Sequence, residues 1–198
     1  MIDYEKIFAL AKECGFTEVG KLDASTLEFR SEVRDMCAEN KCRAYNTNWC
    51  CPPACGTIEE AAERASAYRE GIIVQTVGHM EDEFDVEVML GTNEVHKENI
   101  YRIIPQLREL YPDILPMAAG GCTLCEKCTY PDAPCRHPDL VSPSMEAYGL
   151  VVSDVCEKNG MKYYYGKLTI TYTSTPALLI ASRNFLILVK LAIMFFVF

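Results

Sequence analysis

Two cysteine-rich segments contain the residues whose types and spacing could do chemistry. The chain has eleven cysteines among 198 residues. The later segment has the pattern C-x2-C-x2-C-x6-C-x2-P, and its thiols are those of Cys122, Cys125, Cys128 and Cys135. Three cysteines at successive two-residue spacings can wrap a loop around one object, with each thiolate reaching a different iron of a [4Fe–4S] cubane. The pattern favours an iron–sulfur cluster over zinc, which more often takes two separated C-x2-C pairs.

The later segment is close to the bacterial ferredoxin run C-x2-C-x2-C-x3-C-P, but it has six residues before its last cysteine. In the ferredoxin run the fourth cysteine ligates a different cluster. The comparison therefore leaves open whether Cys135 joins the same cluster as the three cysteines before it.

The earlier segment offers five thiols, one more than a [4Fe–4S] cluster or a zinc ion needs. Cys50 and Cys51 are consecutive, and their side chains diverge along the backbone, so they are not expected to ligate one cluster together. Pro52 and Pro53 fix the turn that brings Cys51 towards Cys55, which leaves Cys50 as the spare thiol. The predicted ligands, for iron–sulfur or alternatively for zinc, are Cys37, Cys42, Cys51 and Cys55.

Charge and cysteine count restrict the setting in which these thiols act. The formal net charge is −9, which argues against nucleic acid as a partner because phosphate binding needs concentrated Lys and Arg. No apolar signal-peptide segment is visible near the start, so a reducing cytoplasm is expected. An odd number of cysteines in such a compartment favours metal ligands over disulfides.

Helical and strand patterns alternate along the chain and place both cysteine segments in loops. Capping boxes at Ser25–Glu28 and Thr57–Glu60 predict helix starts, the first helix running towards Cys37. The apolar run 71–78 predicts a strand, and residues 95–111 predict a helix. The alternation predicts a three-layer α/β domain over residues 1–174, with a small mixed or parallel sheet and irregular cysteine loops at 37–56 and 120–138.

Residues 175–198 form a hydrophobic tail, whose length nearly spans a bilayer. Arg183, Asn184 and Lys190 interrupt it, and a central lysine costs about 2.5–3.5 kcal/mol on insertion scales. The alternatives are a membrane anchor, an extension packed on the domain, and a frame-shifted end without function. Membrane contact is expected only if the tail is an anchor.

The strings CAENKC, WCCPPACG, GGCTLCEKC, PCRHP and PSMEAYG, with the cysteines named above, carry a family resemblance. In these strings the chain resembles the prokaryotic family called domain of unknown function 2284, whose members are described as predicted metal-binding proteins. The resemblance covers roughly residues 1–174. It implies metal binding, with iron–sulfur favoured, and brings no established reaction.

Two functions follow from the sequence. The first is a protein with one or two [4Fe–4S] clusters that transfers electrons to a redox partner protein or serves as a redox accessory. The second is a zinc-stabilised binding or adaptor module, in which the cysteines only fold the loops. Nucleotide-binding and hydrolase motifs are absent from the sequence, so no catalytic residue is predicted, although an iron–sulfur oxidoreductase remains open.

Overall fold

The apolar run at residues 71–78 becomes the strand around which the structure is built. In a computed structural model, which describes residues 2–177, this strand is β2 (Glu70–His79). It pairs with β1 (Glu18–Asp23) on one side and with β4 (Thr169–Ala177) on the other. The short β3 (Leu115–Met117) pairs with β4, so the strand order is β1-β2-β4-β3.

Helices cover both faces of this sheet, as the sequence predicts for a three-layer domain. Ile72 and Val74 of β2 pack against α1 (Tyr4–Glu13) and α4 (Val86–Leu110). Ile73, whose side chain points to the opposite face, packs with α3 (Ile58–Ser66) and α5 (Val152–Lys158). The remaining helix is α2 (Ser31–Ala38), which leads into the first cysteine loop.

The prediction of a mixed or parallel sheet is wrong, because all three strand pairs are antiparallel. The connection between β1 and β2 leaves and returns at the same end of the sheet, since Asp23 at the end of β1 lies opposite Glu70 at the start of β2. Parallel strands would need a crossover to the opposite end. The alternation of helices and strands in the sequence does not distinguish a connection that returns at the same end from one that crosses to the opposite end.

Of the two helix starts predicted from capping boxes, one is confirmed and the other is wrong. Thr57 and Glu60 form the predicted capping box at the start of α3. The predicted helix start at Ser25 is wrong, because the Asp23 carboxylate accepts the Ser25 backbone N–H and closes a short 3₁₀ turn instead. Glu28 pairs with Arg30 at 2.8 Å and also with Lys158, so it is not available to cap.

The first cysteine segment begins inside a helix, because α2 contains Cys37, and this differs from the predicted loop at 37–56. Its other cysteines, and those of the second segment, lie outside helices and strands. The first loop connects α2 to α3, and the second follows β3 and ends before a 3₁₀ turn at Glu146–Tyr148. No helix among the described residues is both long enough and apolar enough to cross a membrane. The predicted tail, residues 175–198, lies outside the described residues except for its first three, which complete β4.

Gly149 fixes the end of that 3₁₀ turn, and its replacement tests the packing beneath the first cysteine loop. Its φ is +82°, and a Cβ there would stand 2.8 Å from the Arg30 carbonyl oxygen. We expect Gly149→Ala to destabilise the fold by about 1–3 kcal/mol, because it adds backbone strain to a steric clash. Chemical denaturation measures the change.

Gly91→Ala is the matched control for that substitution. Gly91 lies inside α4, where a Cβ meets no atom within 4 Å. Alanine there should stabilise the protein by about 0.5–1 kcal/mol, since glycine is the poorer helix former. Equal effects of the two substitutions would show that the Gly149 turn is not constrained in the way described.

Candidate metal centres

The second cysteine loop gathers its thiols around one small cavity. Cys122, Cys125, Cys128 and Cys135 all line this cavity, whose volume is about 30 Å³. Cys50 of the first loop lines it as well. We call these five residues the second thiol group. The structure thus brings together the four cysteines that the sequence assigned to this site and adds a fifth.

Cys50 and Cys122 are in direct contact within the second thiol group. A hydrogen bond with Cys50 lowers the pKa of Cys122 to about 6, against the effect of burial. The same hydrogen bond and burial raise the pKa of Cys50. The lowered pKa favours the Cys122 thiolate, which is the form that binds metal.

Helix α4 supplies two side chains to Cys122 that sequence reasoning missed. Tyr101 lies close to the Cys122 sulfur and lowers its pKa, and the ammonium of Lys97 lowers that pKa further. The Tyr101 hydroxyl also accepts the Thr123 backbone N–H at 3.2 Å, which fixes the start of the loop. The available signal was the four-residue spacing of Lys97 and Tyr101, which puts both on one helix face.

The four predicted ligands of the first loop also lie near one another. Burial raises the pKa of Cys37, and the neighbouring thiols of Cys42 and Cys55 raise it further. Burial likewise raises the pKa of Cys51, and the neighbouring thiols of Cys42, Cys55 and Cys37 raise it further. We call Cys37, Cys42, Cys51 and Cys55 the first thiol group. Each member lies close to at least two others.

The backbone of the 3₁₀ turn and one arginine lie beneath the first thiol group. The Cys37 thiol lies 4.0 Å from the Glu146 carbonyl oxygen, and the Cys55 thiol lies 3.9 Å from that of Ala147. The Arg34 guanidinium donates to the carbonyl oxygens of Ala147 and Gly56. Its charge lowers the pKa values of Cys37 and Cys55, partly offsetting the effect of burial. Sequence reasoning missed Arg34, which precedes Cys37 by one helical turn of α2.

The consecutive cysteines 50 and 51 each belong to a different thiol group. Cys51 lies with the first group, whereas the buried Cys50 lies with the second. Cys50, the thiol that the sequence analysis treated as spare, lines the cavity of the second group. The consecutive cysteines within the first loop were the sequence signal for this arrangement.

Cys14 and Cys156 lie apart from both groups. Both are buried in the core, Cys14 beneath α1 and Cys156 within α5. The Gln75 amide donates to the Cys156 sulfur at 3.5 Å, so this thiol has polar neighbours of its own. These two cysteines are structural, which leaves nine thiols in the two groups.

The donor set fits a thiolate-bound metal. Every member of both groups is a cysteine, and thiolates are the ligands of iron–sulfur clusters and of many zinc sites. Within residues 2–177, no three Cys, His, Asp or Glu side chains are close enough to enclose a single metal ion. The thiols are therefore gathered but not closed around one ion.

Comparison with known proteins agrees with the resemblance seen in the sequence. The sequence model of one family, described as predicted metal-binding protein (DUF2284), matches residues 20–180. That range contains both thiol groups, Arg34 and Lys97. No curated protein and no solved structure matches the chain.

Proposed function

Because the chain belongs to the DUF2284 family of predicted metal-binding proteins, we propose that its two thiol groups hold two [4Fe–4S] clusters. The first group would bind one cluster through its four cysteines. The second would bind the other through Cys122, Cys125 and Cys128, with Cys135 or Cys50 as the fourth ligand. Such clusters supply one-electron transfer. The protein would then pass electrons to a redox partner protein.

The observation that supports electron transfer best is the position of the Cys50–Cys51 peptide. Its two residues belong to different thiol groups, and consecutive Cα atoms are only about 3.8 Å apart. With Cys50 as the fourth ligand of the second cluster, the two clusters would be neighbours joined through one peptide unit. A short, rigid connection of this kind suits electron exchange between clusters.

Positive charge near each group also supports clusters. A [4Fe–4S] cluster with four thiolates carries a net negative charge, and burying that charge is costly without compensation. Arg34 lies beside the first group and Lys97 beside the second. Each cation would lower the cost of placing an anionic cluster in its loop.

Reduction of the anaerobically purified full chain tests the proposal. We expect visible absorbance that bleaches with dithionite, and electron paramagnetic resonance signals from two clusters that interact magnetically. A colourless protein that binds zinc, or one that binds iron but shows no reducible signal, would contradict electron transfer.

A zinc-stabilised adaptor is the second candidate, and the size of the second cavity favours it. A volume of about 30 Å³ is closer to that of a single ion, around which the thiols would have to close, whereas a cubane requires the loop to open. In that case the thiols would fix the loops as a binding surface, and the protein would show no redox activity.

Replacing Arg34 should change the reduction potential of the first cluster. We expect Arg34→Met to lower the potential by tens of millivolts, because removing a nearby positive charge disfavours the added electron. Arg34→Lys, which retains the charge, should shift it less. Potentiometric titration monitored by electron paramagnetic resonance measures both variants. Equal shifts in the two variants would indicate that Arg34 acts through its backbone contacts and not through its charge.

A further inference from the structure

A cleft much larger than the cavity of the second thiol group lies between the two cysteine loops. Its volume is about 630 Å³, within the range of roughly 300–1,000 Å³ typical of small-molecule sites. Residues of the first loop, including Trp49 and Cys55, form one part of its wall. Residues of the second loop, including Cys135, form another. Because Cys55 and Cys135 each belong to a thiol group, the cleft lies beside both proposed metal centres.

Two guanidinium groups line the cleft. The Arg64 Nη2 atom donates to the Cys55 carbonyl oxygen at 3.1 Å, and the Arg108 Nε atom donates to that of Asp139 at 3.2 Å. Among the side chains of residues 2–175, neither guanidinium forms an ion pair. Because a guanidinium has five N–H donors, both retain donors for an anion.

Both guanidiniums lie near Tyr68, as does the carboxylate of Asp113. Burial and the carboxylate of Asp113 raise the pKa of Tyr68, and Arg108 and Arg64 both act to lower it. Arg64 additionally stacks over the Tyr148 ring, with its central carbon 5.4 Å from the ring centroid. This stacking restricts the guanidinium and prepares it for binding.

The rest of the wall is mostly apolar. Ile114 and Leu115 lie at the β3 end, and Pro131 and Pro134 lie at the second loop. Asp132 is the carboxylate among the residues that line the cleft, against the two arginines. A wall of this kind suits a ligand with an apolar body and a negatively charged end.

We propose that this cleft binds an organic carboxylate with an apolar body, whose carboxylate is held by Arg64 and Arg108. The ligand would lie beside Cys55 of the first thiol group and Cys135 of the second. This inference goes beyond the proposed electron transfer, because the arginines and the apolar wall do not depend on which metal the thiols hold.

Titration calorimetry on the metal-loaded full chain tests this proposal. The probes are phenylpropanoate and octanoate, each compared with its neutral amide. We expect at least one carboxylate to bind, and its amide to bind at least about tenfold more weakly, because charge-assisted hydrogen bonds are lost. Arg64→Gln and Arg108→Gln should each weaken carboxylate binding by about tenfold. Arg69→Gln, an exposed arginine outside the cleft, should leave it unchanged.

Three results would overturn the inference: no binding of either carboxylate, equal binding of carboxylate and amide, or unchanged affinity in both cleft variants. Iron, zinc and sulfide are measured on the same samples, which separates the two proposals. Protein that lacks clusters but binds the carboxylate supports the cleft and contradicts the clusters. Protein that has clusters but does not bind the carboxylate supports the clusters and contradicts the cleft.

Discussion

Replacing Cys122 with serine is expected to remove one of the two clusters, and with it about half of the iron and acid-labile sulfide. Cys122 lies against Cys50 and near Tyr101 and Lys97, all of which lower its pKa and favour its thiolate. A serine hydroxyl has a far higher pKa and is a poor ligand for iron. Elemental and sulfide analysis of the anaerobically purified variant measures the loss.

Cys156→Ser is the matched control for the Cys122 substitution. Cys156 is buried in the core, away from both groups, and its polar neighbour Gln75 can also hydrogen-bond to a serine. Its metal content should equal that of the unmodified chain. The account fails if Cys122→Ser retains its full iron content, or if the control loses as much iron.

The Cys50–Cys51 pair allows the same test at adjacent positions. Cys51→Ser should reduce the metal of the first group, because Cys51 lies among its ligands. Cys50→Ser should leave the first group loaded and raise the pKa of Cys122, because the hydrogen bond between them weakens. Identical losses in the two variants would mean that the pair does not divide between two sites.

Removing the metal is expected to expose both cysteine loops to trypsin, with cleavage accelerated at least about tenfold. Beyond Cys37 and Ala38 at the end of α2, neither loop has regular secondary structure. We therefore expect the order of the loops to depend on ligation, because metal binding of this kind supplies folding free energy. The expected cut sites are exposed basic residues within the loops: Lys41, Arg43, Lys127 and Arg136. Limited proteolysis with mass spectrometry, before and after chelation, locates them.

Lys12 in α1 provides an internal control for the proteolysis experiment, because it lies in a helix outside both loops. Its cleavage should be slow in both samples. Equal cleavage of the loops with and without metal would contradict the idea that metal orders them. Rapid cleavage at Lys12 after chelation would show that the whole fold depends on the metal.

The sequence predicted the features that depend on neighbouring residues. The capping box of α3 needs only Thr57 and Glu60, and both residues form the expected hydrogen bonds. The predicted helix start at Ser25 was wrong because the carboxylate of Asp23, two residues earlier, accepts the Ser25 backbone N–H. In a capping box, Glu28 would accept that N–H. Strand direction also escaped prediction, since it depends on where a long connection returns to the sheet.

For the candidate site too, the sequence predicted what depends on neighbouring residues and missed what depends on residues distant in the chain. Cysteine spacing alone predicted eight ligands, because residues close in sequence fold around a common object. The role of Cys50 depends on the second loop lying against the first, which no local pattern encodes. Arg34 and Lys97 were missed for a similar reason, since a charged residue on a helix indicates nothing until the thiols beside it are known.

The content of iron, zinc and acid-labile sulfide per chain, measured on anaerobically purified protein, tests the central claim most directly. The account predicts about eight iron and eight sulfide per chain, as two cubanes require. About four of each would leave one of the two thiol groups without a cluster. Zinc bound without sulfide would contradict the account and would make the protein a structural metal module.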